Sequence, residues 1–391
     1  MGLIDYSKIV TTTVADNKPS GIRRFIDIAS GMKDVISLGV GEPDFNTPWQ
    51  VRKAGINSIE KGKTKYTSNR GNEKLVGEIS AYMERKYNVS YNPKNEIFVT
   101  VGGSEAIDAF IRAVVSKGDE VIIPQPSYVC YEPIPHLAGG TPVILNTKAE
   151  NDFKVTPEEL KNAITDKTKL LILPYPCNPT GAIMEREDLE EVYEVLKDTN
   201  IAVLSDEIYS ELTFNSKPHC SPASIEGMKE RTVVVNGFSK AFSMTGWRLG
   251  FACGPKELIA PMLKIHQYAI MCAPTTSQYA AVEALRSCDE DVKIMCEEYN
   301  RRRRLMVNGF NKIGLECREP KGAFYAFPSI KSTGLTSEEF CQKLLASQKV
   351  AVVPGNAFGE SGEGYVRASY CYSVEHIKEA LVRIERFLKE I

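Results

Sequence analysis

Residues 236–250 read Asn236-Gly-Phe-Ser-Lys240-Ala-Phe-Ser-Met-Thr-Gly-Trp-Arg248-Leu-Gly250 and follow an apolar run, Thr232-Val-Val-Val235, that predicts a buried strand. Lys240 therefore comes just after the carboxyl end of a strand, in a loop rich in glycine and serine. A lysine held near a cation and away from bulk water loses part of its preference for the ammonium form, so its amine can attack an aldehyde. A surface lysine also fits a lone Ser-Lys pair, and the rest of the chain decides between the two.

Short apolar runs alternate with amphipathic segments on both sides of this stretch. The runs predict buried strands at 96–101, 120–123, 170–173, 201–204, 232–235 and 249–252, and the intervening segments predict helices such as 104–115 and 186–197. Alternation of this kind is typical of a mostly parallel sheet with helices on both faces. The sequence therefore predicts a large α/β domain.

The last quarter of the chain has a different pattern. It predicts helices at 289–313 and 337–348, strands at 322–327, 350–353 and 365–370, and a C-terminal helix. The basic run Arg301–Arg304 is expected to form a solvated helix face. We therefore expect a smaller α+β domain over residues 286–391. The large domain then covers residues 46–285, and residues 1–45 form an N-terminal arm and part of the small domain.

Composition limits the classes of function. The 391 residues carry 48 basic and 50 acidic side chains, a balance that does not indicate a nucleic-acid partner or an anionic membrane surface. The ten cysteines contain no C-x-x-C pair, so the spacing indicates neither a metal site nor a disulfide framework. No secretory-signal pattern or membrane-spanning apolar stretch is expected. Together these features predict a cytoplasmic protein.

Four polar clusters follow predicted strands, where open parallel sheets bind their ligands. The first is Gly102-Gly-Ser-Glu105, whose glycines and helix start suit a phosphate, although an ordinary N-cap serine would look the same. It is not a Walker A sequence, and Gly39-Val-Gly41 is not a Rossmann fingerprint. The second contains Asn178-Pro-Thr-Gly181, a good β-turn whose asparagine amide can also donate to ligand oxygens.

The third cluster is Ser205-Asp-Glu-Ile-Tyr209. A carboxylate such as Asp206 at a buried strand end needs a partner, and a cationic ring nitrogen would match it; a helix-capping aspartate is the competing interpretation. Tyr209 could reach an oxygen on the same ring. The fourth cluster is the Lys240 loop, in which the Arg248 guanidinium suits a phosphate or a surface salt bridge.

The order and spacing of these clusters resemble the class I and II aminotransferases, fold-type I enzymes that use pyridoxal 5′-phosphate (PLP), over nearly the whole chain. The matching motifs are Ser37-Leu-Gly39-x-Gly-Glu-Pro-Asp, Tyr66-Thr-x-x-x-Gly71, Pro126-Ser-Tyr128, Asn178-Pro-x-Gly, Asp206-x-x-Tyr209, Lys240 with Arg248, and Arg367. The resemblance implies the PLP-dependent transferase fold type I, with a mostly parallel seven-stranded sheet.

The resemblance also implies a role for each matching residue. Lys240 would hold PLP as an aldimine and move the proton, while Asp206 would keep the pyridine nitrogen protonated. Tyr209 and Asn178 would bind the ring oxygen, and Tyr128 would stack on the ring. The phosphate ligands would be Gly103, Ser104, Glu105 and Arg248, with Tyr66 supplied by the partner in a homodimer. Arg367 would clamp the substrate α-carboxylate, helped by Asn178 and the Gly39 backbone.

One position departs from the pattern of the family. Many members carry a phosphate-binding serine three residues before the lysine, where this chain has Gly237. Ser239, directly before Lys240, is expected to take over part of that role.

The resemblance implies ping-pong transamination from an L-amino acid to a 2-oxo acid such as 2-oxoglutarate, in amino acid metabolism and biosynthesis. A PLP-dependent carbon–sulfur β-lyase would use the same residues and would release pyruvate and ammonia without an added oxo acid. A non-catalytic PLP-binding regulator is a further alternative, although the chain has no added DNA-binding module. Residues 22–25 are expected near the entrance, where Arg23 or Arg24 either meets an acidic substrate or stays exposed.

Overall fold

A seven-stranded sheet forms the centre of the computed structural model, which describes residues 4–17, 19, 21–22, 31–214 and 218–391. Its strands are β2 (Ile97–Thr100), β3 (Glu120–Gln125), β4 (Thr141–Asn146), β5 (Thr168–Leu173), β6 (Ala202–Asp206), β7 (Thr232–Gly237) and β8 (Gly250–Cys253). They lie in the order β2-β8-β7-β6-β5-β3-β4. Strand β8 runs opposite to the other six, so its pairings with β2 and β7 are antiparallel and the remaining pairings are parallel. The predicted fold class, a mostly parallel sheet flanked by helices, is confirmed.

Both faces of this sheet are buried, which explains the nearly continuous apolar runs of its strands. In β5, Leu170 and Ile172 pack into one hydrophobic cluster, whereas Leu171 and Leu173 pack into another on the opposite face. Successive side chains of a strand point to opposite faces, so every residue of the run is buried in one of the two hydrophobic clusters. The carboxyl ends of the parallel strands are thereby held in fixed positions along one edge.

Helices cover the sheet and continue into the last third of the chain. Those of the described residues are α1 (Thr12–Ala15), α2 (Trp49–Glu60), α3 (Glu73–Tyr87), α4 (Gly102–Val114), α5 (Pro133–Leu137), α6 (Pro157–Ala163), α7 (Arg186–Leu196), α8 (Lys256–Ala269), α9 (Thr275–Ser287), α10 (Asp289–Lys312), α11 (Ser337–Gln348) and α12 (Val374–Glu390). Helix α4 packs against α8 and against β7 and β8, which places its N-terminus at the carboxyl edge of the sheet. None of the helices within the described residues is long and apolar enough to cross a membrane.

Two small sheets accompany the C-terminal helices. Strands β9 (Tyr325–Ala326), β11 (Val353–Pro354) and β12 (Val366–Ser369) form an antiparallel sheet in the order β11-β12-β9. Strand β1 (Ile36–Ser37) pairs in parallel with β10 (Val350–Ala351). The pairing joins the N-terminal segment to the last quarter of the chain, while the domain boundaries at residues 45 and 285 stay a prediction.

The structure differs from the sequence-based expectation in three places. Strand β4 did not stand out because it is a sheet edge, mostly half-buried, and carries Pro142. The strand expected at 350–353 is divided between β10 and β11, which belong to different sheets. The solvated face expected at Arg301–Arg304 is wrong for Arg302 and Arg303, which are buried against carboxylates and aromatic rings.

Candidate active site

A cavity of about 310 Å³ opens at the carboxyl ends of the parallel strands. All the residues that the sequence analysis singled out for the site line it, except Glu105 and Tyr66: Gly39, Gly103, Ser104, Tyr128, Asn178, Asp206, Tyr209, Ser239, Lys240, Arg248 and Arg367. They come from the turns that follow β2, β5, β6 and β7, together with the Tyr128 and Arg248 loops, the N-terminal segment and β12. The fold therefore brings together residues separated by more than three hundred positions in the chain.

Lys240 is held in the cavity by contacts on several sides. Its Nζ donates to the Gly41 carbonyl at 2.7 Å and lies 5.9 Å from the centre of the Tyr209 ring and 5.6 Å from that of Phe324. Burial lowers the pKa of Lys240 to about 8, and the guanidiniums of Arg367 and Arg248 act in the same direction. At pH 7 an amine of this pKa is neutral about a tenth of the time, far more often than an ordinary lysine.

Asp206 ends β6 with its carboxylate almost wholly buried. One oxygen accepts from the Tyr131 hydroxyl at 2.6 Å and the other from the Ile208 N–H at 3.1 Å. Burial raises the pKa of Asp206, and both hydrogen bonds oppose that rise. The sequence analysis missed Tyr131; the signal that could have found it is its position three residues after Tyr128 in the same aromatic turn.

Tyr209 is joined to a second residue that the sequence analysis did not identify. Its hydroxyl shares a hydrogen bond of 2.8 Å with that of Tyr325, which also lines the cavity. The guanidinium of Arg367 lies 4.4 Å from the centre of the Tyr325 ring. Burial raises the pKa of Tyr325 to about 12, so both hydroxyls keep their protons at neutral pH. Tyr325 thus contacts Tyr209 and Arg367 at once.

Arg367 in β12 is buried and also lines the cavity. Its Nη1 donates to Asn178 Oδ1 at 2.9 Å and its Nη2 to the Gly39 carbonyl at 2.6 Å. Its Nε has no hydrogen-bond partner among the described residues, although the side chain is only 2% exposed. A buried guanidinium with an unused donor is suited to an anionic ligand.

The turn between β2 and α4, residues 100–104, is here called the phosphate turn, after the ligand that the sequence analysis predicts for it. Gly102 has φ +75°, and a Cβ placed there would lie 2.8 Å from Arg248 Nη2, so the guanidinium packs directly on this turn. Helix α4 begins at Gly102, and the N–H groups of a helix's first turn attract anions. Ser239 also lines the cavity, whereas Gly237 is the last residue of β7 and does not line it.

Two predicted site residues have their side chains elsewhere. The Glu105 carboxylate contacts the Val101 N–H and His266, so the side chain is not part of the cavity wall. Tyr66 is 78% exposed and contributes nothing to the cavity within one chain. Near the entrance, Ile22 lines the cavity, and Arg23, Arg24 and Phe25 lie outside the described residues.

Known proteins that are similar to this chain in sequence, and those that are similar in structure, are aminotransferases. The family model for aminotransferase class I and II matches residues 33–384. The putative aminotransferase YugH of Bacillus subtilis is 55% identical over 371 residues, which are 95% of this chain and 96% of that protein. An aspartate aminotransferase of Pyrococcus abyssi is 47% identical over 376 residues, with 95% and 96% of the two chains covered.

Two solved structures share both the fold and substantial identity. The aromatic aminotransferase of Pyrococcus horikoshii superposes with a TM-score of 0.90 at 44% identity, covering 94% of this chain and 99% of that one. The aspartate aminotransferase of Thermus thermophilus with maleate gives a TM-score of 0.92 at 36% identity, covering 96% and 99%.

Proposed function

The chain belongs to the class I and II aminotransferase family, whose members transfer amino groups with PLP, and we propose that Lys240 is the reacting amine of its active site. The observation that carries the proposal is the half-buried Lys240 with a pKa of about 8, in one cavity with the buried carboxylate of Asp206. The neutral amine can attack the aldehyde of PLP, and the carboxylate suits a cationic ring nitrogen.

The residues of the cavity fit PLP at each of its polar groups. Asp206 would pair with the ring nitrogen, Tyr209 and Asn178 would bind the ring oxygen, and Tyr128 would cover the ring face. The phosphate would lie on Gly103, Ser104, the Glu105 backbone, Ser239 and Arg248. The close packing of the Arg248 guanidinium on Gly102 supports one anion site in the cavity, and the unused Nε of Arg367 supports another.

Bound PLP supplies a protonated ring that takes up the electron pair released when the substrate Cα–H bond breaks. We propose that Lys240 Nζ removes this Cα proton from the amino donor and returns a proton to Cα in the second half-reaction. Arg367 holds the α-carboxylate in place, with Asn178 and the Gly39 carbonyl fixing its guanidinium. Tyr131 holds the Asp206 carboxylate in its place at the end of β6.

The transamination proposed here is ping-pong, with 2-oxoglutarate as the amino acceptor. The holoenzyme is mixed with one amino acid at a time, and the absorbance of the coenzyme is followed before and after 2-oxoglutarate is added. Aspartate and the aromatic amino acids come first, because relatives at 47% and 42% identity are named for these substrates. A donor-dependent absorbance change that 2-oxoglutarate reverses is expected. Pyruvate and ammonia formed without 2-oxoglutarate would instead identify a β-lyase.

We also propose that the active unit is a homodimer in which Tyr66 reaches the phosphate of the neighbouring site. Tyr66 is highly exposed. Tyr268 is 88% exposed and belongs to residues 268–271, a segment that lies beside the Tyr66 segment. The two segments are joined by Asn69 Nδ2, which donates to the Met271 carbonyl at 2.7 Å. The exposed apolar surface of these two segments consists of Tyr66, Tyr268, Ile270 and Met271, and a second copy of the chain would cover it.

Mixed dimers test the sharing of Tyr66. Tyr66→Asp places a carboxylate against the phosphate, and Lys240→Ala removes the reacting amine, so each variant alone should be inactive. When the two are refolded together, half of the dimers are mixed and each mixed dimer regains one of its two sites, which gives up to about a quarter of wild-type activity. No recovery in proven mixed dimers would refute the sharing.

We further propose that the enzyme works in the cytoplasm, where its ten cysteines would stay free thiols. Its proposed role there is in amino acid biosynthesis.

A further inference from the structure

Glu105 lies in the first turn of α4, next to the residues that line the cavity, yet its carboxylate is engaged elsewhere. Oε2 accepts from the backbone N–H of Val101 at 2.5 Å. Oε1 lies 2.5 Å from Nδ1 of His266, a residue 161 positions further along the chain. Both oxygens of Glu105 are therefore used to connect the start of α4 to its own preceding residue and to helix α8.

Within the part of the chain that the structure describes, Glu105 is the polar partner of the His266 ring. The side chain is fully buried in α8, and its Nε2 has no hydrogen-bond partner among the described residues. Phe98 meets the ring edge-on, with the ring centres 5.4 Å apart. Because a carboxylate only accepts hydrogen bonds, the His266 Nδ1 carries a proton in this contact. His266 thus donates one short hydrogen bond, and Glu105 receives it.

The Val101 N–H matters because it belongs to the phosphate turn. Val101 is the N-cap residue of α4 and its own side chain cannot cap the helix. The turn is instead held by Glu105 on Val101 and by Thr100 Oγ1, which donates to the Gly102 carbonyl at 2.9 Å. Gly103 and Ser104, whose N–H groups lie in the first turn of the helix, follow immediately and line the cavity.

We propose that His266 and Glu105 are a positioning pair that sets the affinity of the phosphate turn for the phosphate of PLP. His266 fixes the rotamer of Glu105, Glu105 fixes the Val101 N–H, and the N–H groups that follow keep their aim into the cavity. The proposal rests on the proposed function, since it assumes that this turn binds the phosphate. It gives Glu105 an indirect role through its carboxylate in place of a direct contact with PLP.

The test compares PLP with pyridoxal, which has the same ring and aldehyde and lacks the phosphate. The affinity of the full-length apoenzyme for each is measured by quenching of tryptophan fluorescence, and the ratio of the two affinities reports on the phosphate alone. His266→Leu and Glu105→Ala should each lower this ratio about tenfold, the effect of one lost hydrogen bond to a charged group. His266→Gln, whose amide can donate to Glu105, should retain most of the ratio.

The chain offers a matched control in a second buried histidine–glutamate pair. His219 Nε2 lies 2.9 Å from Glu207 Oε2, and these side chains are 4% and 0% exposed, against 0% and 13% for His266 and Glu105. Glu207 also accepts from Ser205 and Ser221, and neither His219 nor Glu207 lines the cavity. His219→Leu should lower thermal stability and leave the PLP-to-pyridoxal ratio unchanged.

The outcomes separate the proposal from the function on which it rests. If the wild-type protein binds pyridoxal as tightly as PLP, the phosphate site itself is misplaced, and that part of the proposed function fails. If the wild type prefers PLP and His266→Leu keeps the full ratio, the positioning role is refuted. Should His266→Leu fail to fold, Glu105→Ala decides alone, because its partly exposed side chain can be shortened without opening a closed core. An unchanged ratio there overturns the proposal.

Discussion

Gly250 is expected to control PLP binding although it does not line the cavity. It begins β8, and a Cβ built on it would lie 2.6 Å from the Gly102 carbonyl carbon and 2.7 Å from the Gly103 nitrogen. These are backbone atoms of the phosphate turn, so no side chain can rotate away to make room. In Gly250→Ala the turn must move by about 0.8 Å or more to reach ordinary contact distance.

The cost of that movement can be estimated from overpacking. Forcing one extra carbon into a packed interior costs about 1–3 kcal/mol. If the phosphate turn takes up the displacement, PLP affinity falls by about fivefold to a hundredfold, at 1.4 kcal/mol for each factor of ten. Gly77→Ala in α3 is the control, because a Cβ at Gly77 would meet nothing within 4 Å and the residue does not line the cavity.

The assay titrates PLP into the apoenzymes of both variants and records their fluorescence, with melting temperatures measured alongside. Gly250→Ala should bind PLP markedly more weakly than Gly77→Ala, which should keep wild-type affinity. Wild-type affinity in Gly250→Ala would refute the steric reasoning.

Three further changes test other contacts of the cavity. Tyr131→Phe removes one of the hydrogen bonds that oppose the rise in the Asp206 pKa. That pKa should therefore rise further, and the pH profile of turnover should shift with it. Glu42→Gln removes a negative charge that raises the pKa of Lys240, so this pKa should fall below about 8. The apoenzyme should then capture pyridoxal at lower pH, and an unshifted pH dependence of capture would contradict this. Arg367→Ala should raise KM for amino and oxo acids more than it lowers kcat, and an unchanged KM would exclude the carboxylate clamp.

Much of the site could be predicted because the segments that follow parallel strands lie together at one edge of the sheet, whatever the order of the strands. Asp206 and Lys240 each follow an apolar run, and parallel strands end at a common edge. The same reasoning found Ser104 and Asn178. It could not find an edge strand such as β4, whose half-buried residues lack a continuous apolar pattern.

Contacts between side chains from distant segments were not predictable. The bond between Tyr131 and Asp206 spans 75 positions, and that between Tyr209 and Tyr325 spans 116. Tertiary packing decides which tyrosine meets which partner, and the sequence around Tyr131 or Tyr325 does not indicate that partner. The carboxylate of Glu105 shows the same limit, because its neighbours in sequence suggest a phosphate ligand and its partner His266 can be found only in the fold.

The attachment of PLP to Lys240 is tested most directly by reducing the holoenzyme with borohydride and sequencing its peptides by mass spectrometry. Reduction fixes the coenzyme to the amine that holds it. We expect the added mass on Lys240 alone, and we expect Lys240→Ala to bind PLP without covalent attachment and to lose nearly all turnover. A coenzyme fixed to another lysine, or near-full transamination by Lys240→Ala, would contradict the assignment.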